Sequence, residues 1–201
     1  MYVLDHGSFT GIRIGIALLK GLCFEKDVEI IEMTSLENIF EIGLEKDYNN
    51  MIYLSIIYAN NDQIYMGAYD DSFSDKGRKI VECAGNIEEC LEELYFKLNV
   101  NEYDLKKLNY NFMVIYDKDT KEQGKELIKT IREKMEEKIL ECNVIFKEVN
   151  VDNSGFEKRI RDINSGKYVL EDDEIKKEYE IIPNYLKKSQ AKRLLEKNNK
   201  N

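Results

Sequence analysis

GSFTGIRIGIALLKGLCFEKDVEIIEMTSLENI, residues 7–39, is the most informative stretch of the sequence. Its first half is apolar on nearly every side of a helix. It also carries three glycines spaced four residues apart, Gly7, Gly11 and Gly15. Positions four apart share one helix face, so the glycines form a stripe that another backbone can approach closely. Because each glycine costs a helix about 1 kcal/mol relative to alanine, we expect a packing helix here, running to about Phe24.

The strand-to-helix junction at Ser8 and Thr10 also resembles an anion site, since free N–H groups at a helix N-terminus attract phosphate. Neither G-x-x-x-x-G-K-[ST] nor G-x-G-x-x-G occurs in this segment, and no lysine stands where a phosphate loop needs one. Packing is therefore the better interpretation. Two environments stay open: a helix internal to a larger domain, or a helix whose second apolar side receives a partner.

Catalytic chemistry has little support in the same segment. Asp5, His6 and Ser8 are sequence neighbours, whereas the members of a hydrolytic relay normally come from separate elements. His6 is the only histidine, and a lone histidine before a helix is typical of a turn. Among 39 acidic residues, adjacent carboxylates such as Asp70 and Asp71 indicate surface charge rather than an acid/base pair.

Composition and charge narrow the class of protein. The 201 residues are 43% hydrophobic and 34% charged, which is typical of a globular chain, and the net charge of −9 disfavours a general nucleic-acid surface. Residues 184–201 carry six Lys/Arg against one Glu, so this basic tail either contacts RNA or an acidic partner, or is a solvated terminal helix. No signal peptide or membrane-length apolar run is visible.

Cysteine and histidine usage excludes a zinc-type site. The four cysteines form no C-x-x-C pair and are Cys23, Cys83, Cys90 and Cys142. With one histidine besides, no metal-ligand spacing and no cofactor are predicted. We expect a reduced protein in the cytoplasm.

The order of elements predicts an α/β fold. Thr34 or Ser35 can cap a helix with Glu37 as the capping-box partner, and the early β-α-β-α rhythm suggests parallel strands. Residues 51–71 read as a hairpin around the turn-prone tripeptide at 60–62. Strands are predicted at 2–4, 28–33, 51–59, 63–71, 77–85, 111–117 and 143–149. Helices are predicted at 8–24, 34–46, 87–98, 121–140 and 154–166, the last capped by Ser154 and stopped by Gly166, followed by an acidic connector to Pro183.

The opening stretch resembles the signature region of the TsaB (YeaZ) family, which has a GPGSFTG-x-R-x-G helix, then A-x-x-K-G-L, a strand and an SLE-L helix. The residues that match this pattern are Gly7, Ser8, Phe9, Thr10, Gly11, Arg13, Gly15, Ala17, Lys20, Gly21, Leu22, Ser35, Leu36 and Glu37. Further along, QIYMGAYD (63–70) resembles the second-lobe hairpin of the family, and PNYLKKSQA (183–191) is similar to its P-x-Y-L-R ending. The resemblance covers nearly the whole chain at falling specificity.

Three departures accompany the match. Asp5 and His6 replace the Gly-Pro before the motif, and Tyr58-Ala59-Asn60 replaces the usual D-A-R. Family members also carry about sixty residues of strands and a first helix ahead of the motif, a large share of a lobe. The resemblance thus leads us to expect a first lobe without its opening strands, or a start codon upstream of Met1.

The resemblance implies an actin-like ATPase (ASKHA, RNase H-like) fold whose first lobe is truncated and whose second lobe is complete. The expected domains are residues 1–48 as a remnant of the first lobe, 49–182 as the second α/β lobe, and 183–201 as the basic C-terminal tail. TsaB members have no working nucleotide site, in line with the missing phosphate loop.

The resemblance also implies a function in tRNA modification. TsaB members are non-catalytic partners of the threonylcarbamoyltransferase TsaD, which acts with TsaE and a threonylcarbamoyl-adenylate donor on the adenosine beside the tRNA anticodon. Their first-lobe helices pack against TsaD or a second TsaB, and tRNA is reached only through the complex. The expected interface residues, on an exposed stripe of the first helix, are Gly11, Ile12, Arg13, Gly15, Ile16 and Lys20. Candidate tail contacts to tRNA or a partner are Lys187, Lys188, Lys192 and Arg193.

Two alternatives remain beside this accessory function. One is a truncated, inactive paralog or fragment without a partner, in which unpaired sheet edges would favour aggregation. The other is a glycoprotease-like peptidase, after a label once given to the relatives of this family. His6 and Ser8 would have to supply that activity, and the residues give it no visible site.

Overall fold

A computed structural model gives the fold in residues 9–26, 28, 30–45, 50–59, 63–70, 78–100, 111–120, 122–138, 143–168, 170, 175–176 and 180–181. The helices in these ranges are α1 (Phe9–Cys23), α2 (Ser35–Gly43), α3 (Ile87–Val100), α4 (Glu122–Lys138) and α5 (Ser154–Asn164). The strands are β1 (Ile30–Ile31), β2 (Met51–Tyr58), β3 (Gln63–Asp70), β4 (Arg78–Asn86), β5 (Asn111–Asp117), β6 (Val144–Val149) and β7 (Ile175–Lys176). The predicted α/β class is confirmed.

A mixed five-stranded sheet with the order β4-β3-β2-β5-β6 forms the centre of the fold. The predicted hairpin is confirmed, since β2 and β3 pair antiparallel from Ile52 with Asp70 to Tyr58 with Ile64. β4 extends the antiparallel half, whereas β5 and β6 add in parallel. Parallel neighbours need a crossover element, and α4 supplies it between β5 and β6.

Helices cover both faces of this sheet because its strands are apolar on both sides. α3 and α4 lie on one face, and their buried side chains join those of all strands but β6 in a core that includes Leu54, Leu94 and Met135. α2 lies on the other face, where Phe40 stacks on Tyr69 with ring centroids 4.8 Å apart. Because the central strands β2 and β5, which pair in parallel, are covered on both faces, they read as almost continuous apolar runs.

α5 packs on α2 through a cap that comes from a distant part of the chain. The Asn38 side chain accepts a hydrogen bond from the Phe156 backbone N–H at 3.0 Å and donates to the Asp152 carbonyl at 2.7 Å. A Cβ at Gly155 would lie 2.4 Å from the Asn38 carbonyl oxygen, so only glycine fits this contact. The expectation that Ser154 caps α5 is wrong: Ser154 is the first helical residue, Asn153 precedes it without a side-chain bond, and Asn38 satisfies the free N–H.

A buried ion pair joins the same two helices. Arg159 donates to the Glu41 carboxylate at 2.7 Å and to the Tyr168 hydroxyl at 2.8 Å, and Lys158 approaches the second Glu41 oxygen at 3.2 Å. Burial opposes the charge on Arg159, yet the Glu41 carboxylate prevails and raises the pKa of the guanidinium. Both oxygens of the Glu41 carboxylate face a cation and the guanidinium has two acceptors, and a buried ion pair is tolerated when its groups are paired in this way.

The capping box predicted at the start of α2 is confirmed. The Thr34 hydroxyl accepts from the Glu37 backbone N–H at 3.1 Å, and the Glu37 carboxylate accepts from the Thr34 N–H at 2.6 Å. The predicted stop of α5 is also confirmed, because Gly166 adopts a positive φ of 73° just beyond the helix.

The segment around α1 differs from its prediction in strand pairing. The strand expected at 28–33 is reduced to Ile30–Ile31, and it pairs antiparallel with β7, which lies within the expected connector. The described partner of β1 is thus antiparallel and comes from a far later part of the chain, and the strand at 2–4, its expected parallel neighbour, lies outside the described residues. α1 covers this short ribbon through Ile16, Leu19 and Cys23, which form a small core with Ile30 and Ile181.

The predicted division at residues 46–50 separates α2 from the sheet on which it packs. Leu36, Ile39 and Phe40 of α2 belong to the same core as β2, β3, β5 and β6. The packing of α2 joins residues 35–43 to the five-stranded sheet. The division into three domains stays a prediction. The strand expected at 2–4, Pro183 and Cys142 lie outside the described residues, and Cys23, Cys83 and Cys90 are free thiols.

Candidate protein-binding surface

α1 has one buried face and one exposed apolar face. Ile16, Leu19 and Cys23 point inward, at positions three and four apart, and are 6%, 2% and 7% exposed. This arrangement follows from the pattern of an apolar helix that finds only one side covered. In the described part of the chain, the other side of the helix is exposed to solvent between Gly11 and Leu22.

Ile14, Leu18 and Leu22 form a line on the exposed side, and they are 63%, 63% and 43% exposed. They are four residues apart and so stack one above the other along the helix. Phe24, just past the end of α1, is 66% exposed. We call these four side chains, with Gly11, Gly15, Ala17 and Gly21, which are also exposed, the outer face of α1. A contiguous apolar surface of this kind is typical of a protein interaction site.

Two glycines of the outer face, Gly15 and Gly21, do not serve packing within the described part of the chain. A Cβ at Gly15 or Gly21 would meet no described atom within 4 Å. This contrasts with Gly155, where the Asn38 carbonyl lies against the Cα. Gly15 and Gly21 therefore lower helix stability although no described residue packs closely against them. They leave room for another molecule to approach the helix backbone.

The residues predicted for the interface divide between the two faces. Gly11, Arg13 and Gly15 are exposed. Lys20 and Ile12 are half-buried, and Ile12 packs against the small core under the helix. The expectation that Ile16 lies on an exposed stripe is wrong, because its side chain is buried against that core.

Sequence reasoning overlooked the apolar side chains that are most exposed. Both Ile14, Leu18 and Leu22 and the inward residues follow helical spacing, so an all-apolar helix gives no signal to tell its two faces apart. The faces are separated by Ile30 and Ile181, which are distant in sequence. The tail residues Lys187, Lys188, Lys192 and Arg193 lie outside the described residues, as do His6 and Ser8.

A second, polar cluster lies where α2 meets the edge strand β4. Glu82 accepts from the Tyr69 hydroxyl at 2.7 Å and from the Thr34 hydroxyl at 2.8 Å. Lys79 lies 3.6 Å from carboxylate oxygens of both Glu37 and Glu82. Burial raises the pKa of Glu37, which Lys79 and the Thr34 N–H oppose, and burial with the nearby Glu82 raises the pKa of Tyr69.

This cluster holds the start of α2 against β4 and has a structural rather than a catalytic arrangement. Its hydroxyls donate to Glu82 and its lysine faces two carboxylates, so the described groups satisfy each other. Among the described residues, no group of three or more His, Cys, Asp or Glu side chains is placed to hold a metal ion. None of the helices described is long and apolar enough to cross a membrane.

Comparison with known proteins gives a partial similarity. No family model matches the chain. The tRNA threonylcarbamoyladenosine biosynthesis protein TsaB of Bacillus subtilis (strain 168) is 36% identical over 63 residues. That stretch is 31% of this chain and spans only about a quarter, 26%, of the Bacillus protein.

Proposed function

We propose that this chain is a non-catalytic accessory subunit in the biosynthesis of threonylcarbamoyladenosine in tRNA, and that it binds and activates a TsaD-like protein. The partial similarity to the Bacillus TsaB supports the pathway, and the GSFTG-x-R-x-G motif carries the same resemblance. An α/β sheet with helices on both faces is compatible with one lobe of an actin-like fold.

The outer face of α1 is the surface that supports this proposal most directly. In the described part of the chain, five large apolar side chains are exposed, and four of them belong to this outer face. Burying them would contribute about 1.5–3 kcal/mol for each fully covered side chain. Gly11 and Gly15 border this line, so a partner helix can approach α1 closely. Arg13 and Lys20 would then lie at the rim.

The interface is tested by co-purification of the chain with the TsaD-like protein of the same organism. We expect a complex at micromolar concentration by size exclusion, and threonylcarbamoyladenosine in tRNA when TsaE and the donor are added. Leu18→Asp should weaken association by on the order of 30-fold, as for a central interface residue. Phe96→Asp is the matched control, since Phe96 is 62% exposed but lies on α3.

Each negative result has a separate meaning. A wild-type chain that forms no complex contradicts the proposal and favours a paralog without a partner. Equal weakening by Leu18→Asp and Phe96→Asp contradicts the surface but not the partnership. Cleavage of a protein substrate that is lost in His6→Ala or Ser8→Ala would instead support a peptidase.

The basic tail is proposed as an additional contact of the complex with tRNA. Removal of residues 187–201 should weaken tRNA binding by the complex and reduce the slope of its salt dependence, because fewer phosphates are neutralised. An unchanged slope would identify the tail as a solvated end.

A further inference from the structure

The part of the molecule under α1 is much smaller than the sheet core. We call α1, β1, β7 and Ile181 the α1 unit. In the described residues its core consists of five buried side chains, whereas the α3/α4 face of the sheet buries twenty. In the described residues, the ribbon beneath α1 pairs Ile30 with Lys176 and Ile31 with Ile175. A two-stranded ribbon of this length is at best marginally stable without further packing.

α1 is also a weak helix in its own right. It has fifteen residues, near the length at which isolated helices become marginal in water. Gly11, Gly15 and Gly21 lower its propensity further, and no acidic residue lies in its first turn to favour the helix dipole. Its order therefore depends on tertiary contacts, and the buried apolar contacts given by the described residues are those of Ile16, Leu19 and Cys23.

The C-terminal end of α1 adds backbone strain. Glu25 adopts a φ of 55°, the left-handed conformation that favours glycine, while the Lys26 N–H donates to the Cys23 carbonyl at 2.9 Å. A residue with a side chain costs more there than glycine does. The helix thus ends in a turn that its own sequence does not favour.

We propose that the α1 unit opens and closes as a separate cooperative element, while the five-stranded sheet stays folded, and that a partner on the outer face of α1 closes it. The second half of this inference rests on the proposed function. Docking places a second apolar surface against a helix to which the described residues supply one, so binding and ordering are coupled. The outer face is then presented fully only by the closed form.

Hydrogen exchange of the full chain tests the opening. Amides of residues 16–23 should exchange at least about ten-fold faster than those of β2 and β5, through an opening smaller than global unfolding. Glu25→Gly removes the left-handed strain without changing the outer face, and it should slow exchange in α1 about five-fold with little change in the sheet. Asn50→Gly is the matched control, because Asn50 has a φ of 56° immediately before β2.

The outcomes separate the two halves of the proposal. Exchange of α1 as slow as that of β2, or an equal effect of Glu25→Gly on α1 and on the sheet, overturns separate opening. With separate opening observed, addition of a saturating TsaD-like protein should slow α1 amides further, and binding without such slowing overturns the coupling. If that protein does not bind at all, the proposed function fails, the coupling to this partner is overturned with it, and the opening of the α1 unit stands.

Discussion

The sheet and the α1 unit contain similarly apolar sequences but bury them very differently. β2 is covered on both faces, and its side chains from Met51 to Ile56 are buried. α1 is as apolar, yet Ile14, Leu18 and Leu22 are exposed while Ile16 and Leu19 are buried. An apolar element is therefore covered on both sides in the sheet, whereas the described residues cover only one side of α1. Stability should concentrate in the sheet and binding in α1.

The largest expected effect compares one leucine from each region. Leu54 is fully buried in β2, so Leu54→Ala should lower the free energy of unfolding by about 3 kcal/mol. Leu19→Ala deletes the same atoms from the α1 unit and should change the main transition by less than about 1 kcal/mol. Chemical denaturation followed by near-ultraviolet circular dichroism of the tyrosines measures both. Equal losses would show that the two regions unfold as one.

Two glycines sharpen the comparison at a smaller scale. Gly155→Ala forces a methyl group against the Asn38 carbonyl and should cost about 2 kcal/mol in the main transition. A methyl group at position 15 meets open space, so Gly15→Ala should stabilise α1 in the free chain by at most about 1 kcal/mol. The expected sign of this is a stronger helical circular dichroism signal. The same substitution should weaken partner binding. Unimpaired binding by Gly15→Ala would contradict close approach at this position.

The smallest effect is a pH dependence at the cluster that fastens α2 to the sheet. Glu37 is 19% exposed in its side chain, and burial raises its pKa above the ordinary value of 4.5 despite Lys79. The folded state therefore binds this proton more readily, so the favourable contribution of Glu37 is full below that ordinary value. It is lost as the pH rises through the raised pKa.

Glu37→Gln keeps an acceptor for the Thr34 N–H and removes the titration. Its stability relative to the wild type should consequently improve from about pH 4 to pH 7. Thermal unfolding at a series of pH values measures this difference. Glu89→Gln, in the exposed capping box of Asn86 at the start of α3, controls for loss of a carboxylate from a helix N-terminus. A relative stability of Glu37→Gln that does not change with pH would contradict the assignment.

Local patterns were sufficient to predict most elements of the sheet region. The hairpin, the strand β4, the helices α3 and α4 and the Thr34–Glu37 capping box each depend on residues close in sequence. The cap on α5 was predicted wrongly because its acceptor, Asn38, lies more than a hundred residues away. Nothing in the sequence around Ile30 indicates that Ile175 and Lys176 are its neighbours.

The candidate surface was predicted only in part for the same reason. The motif directed attention to α1, where Gly11, Arg13 and Gly15 are exposed. The choice of Ile16 over Ile14 or Leu18 required knowledge of which side faces Ile30 and Ile181. A helix that is apolar all round carries no such information, because periodicity marks a face only when the opposite face is polar.

Thr34 has a mechanical consequence for how the two regions communicate. Its hydroxyl is held by Glu82 on the sheet edge, and its backbone belongs to the start of α2. Only Glu32 and Met33 lie between Thr34 and Ile31 of β1, so Thr34 and Ile31 are at most about 10 Å apart. The connection from β1 to α2 is therefore short, and its end at Thr34 is held to the sheet edge by Glu82. Movement of β1 away from the sheet beyond this distance would therefore load the Thr34–Glu82 hydrogen bond, and tension at α1 that passes through β1 would reach the sheet edge at this contact.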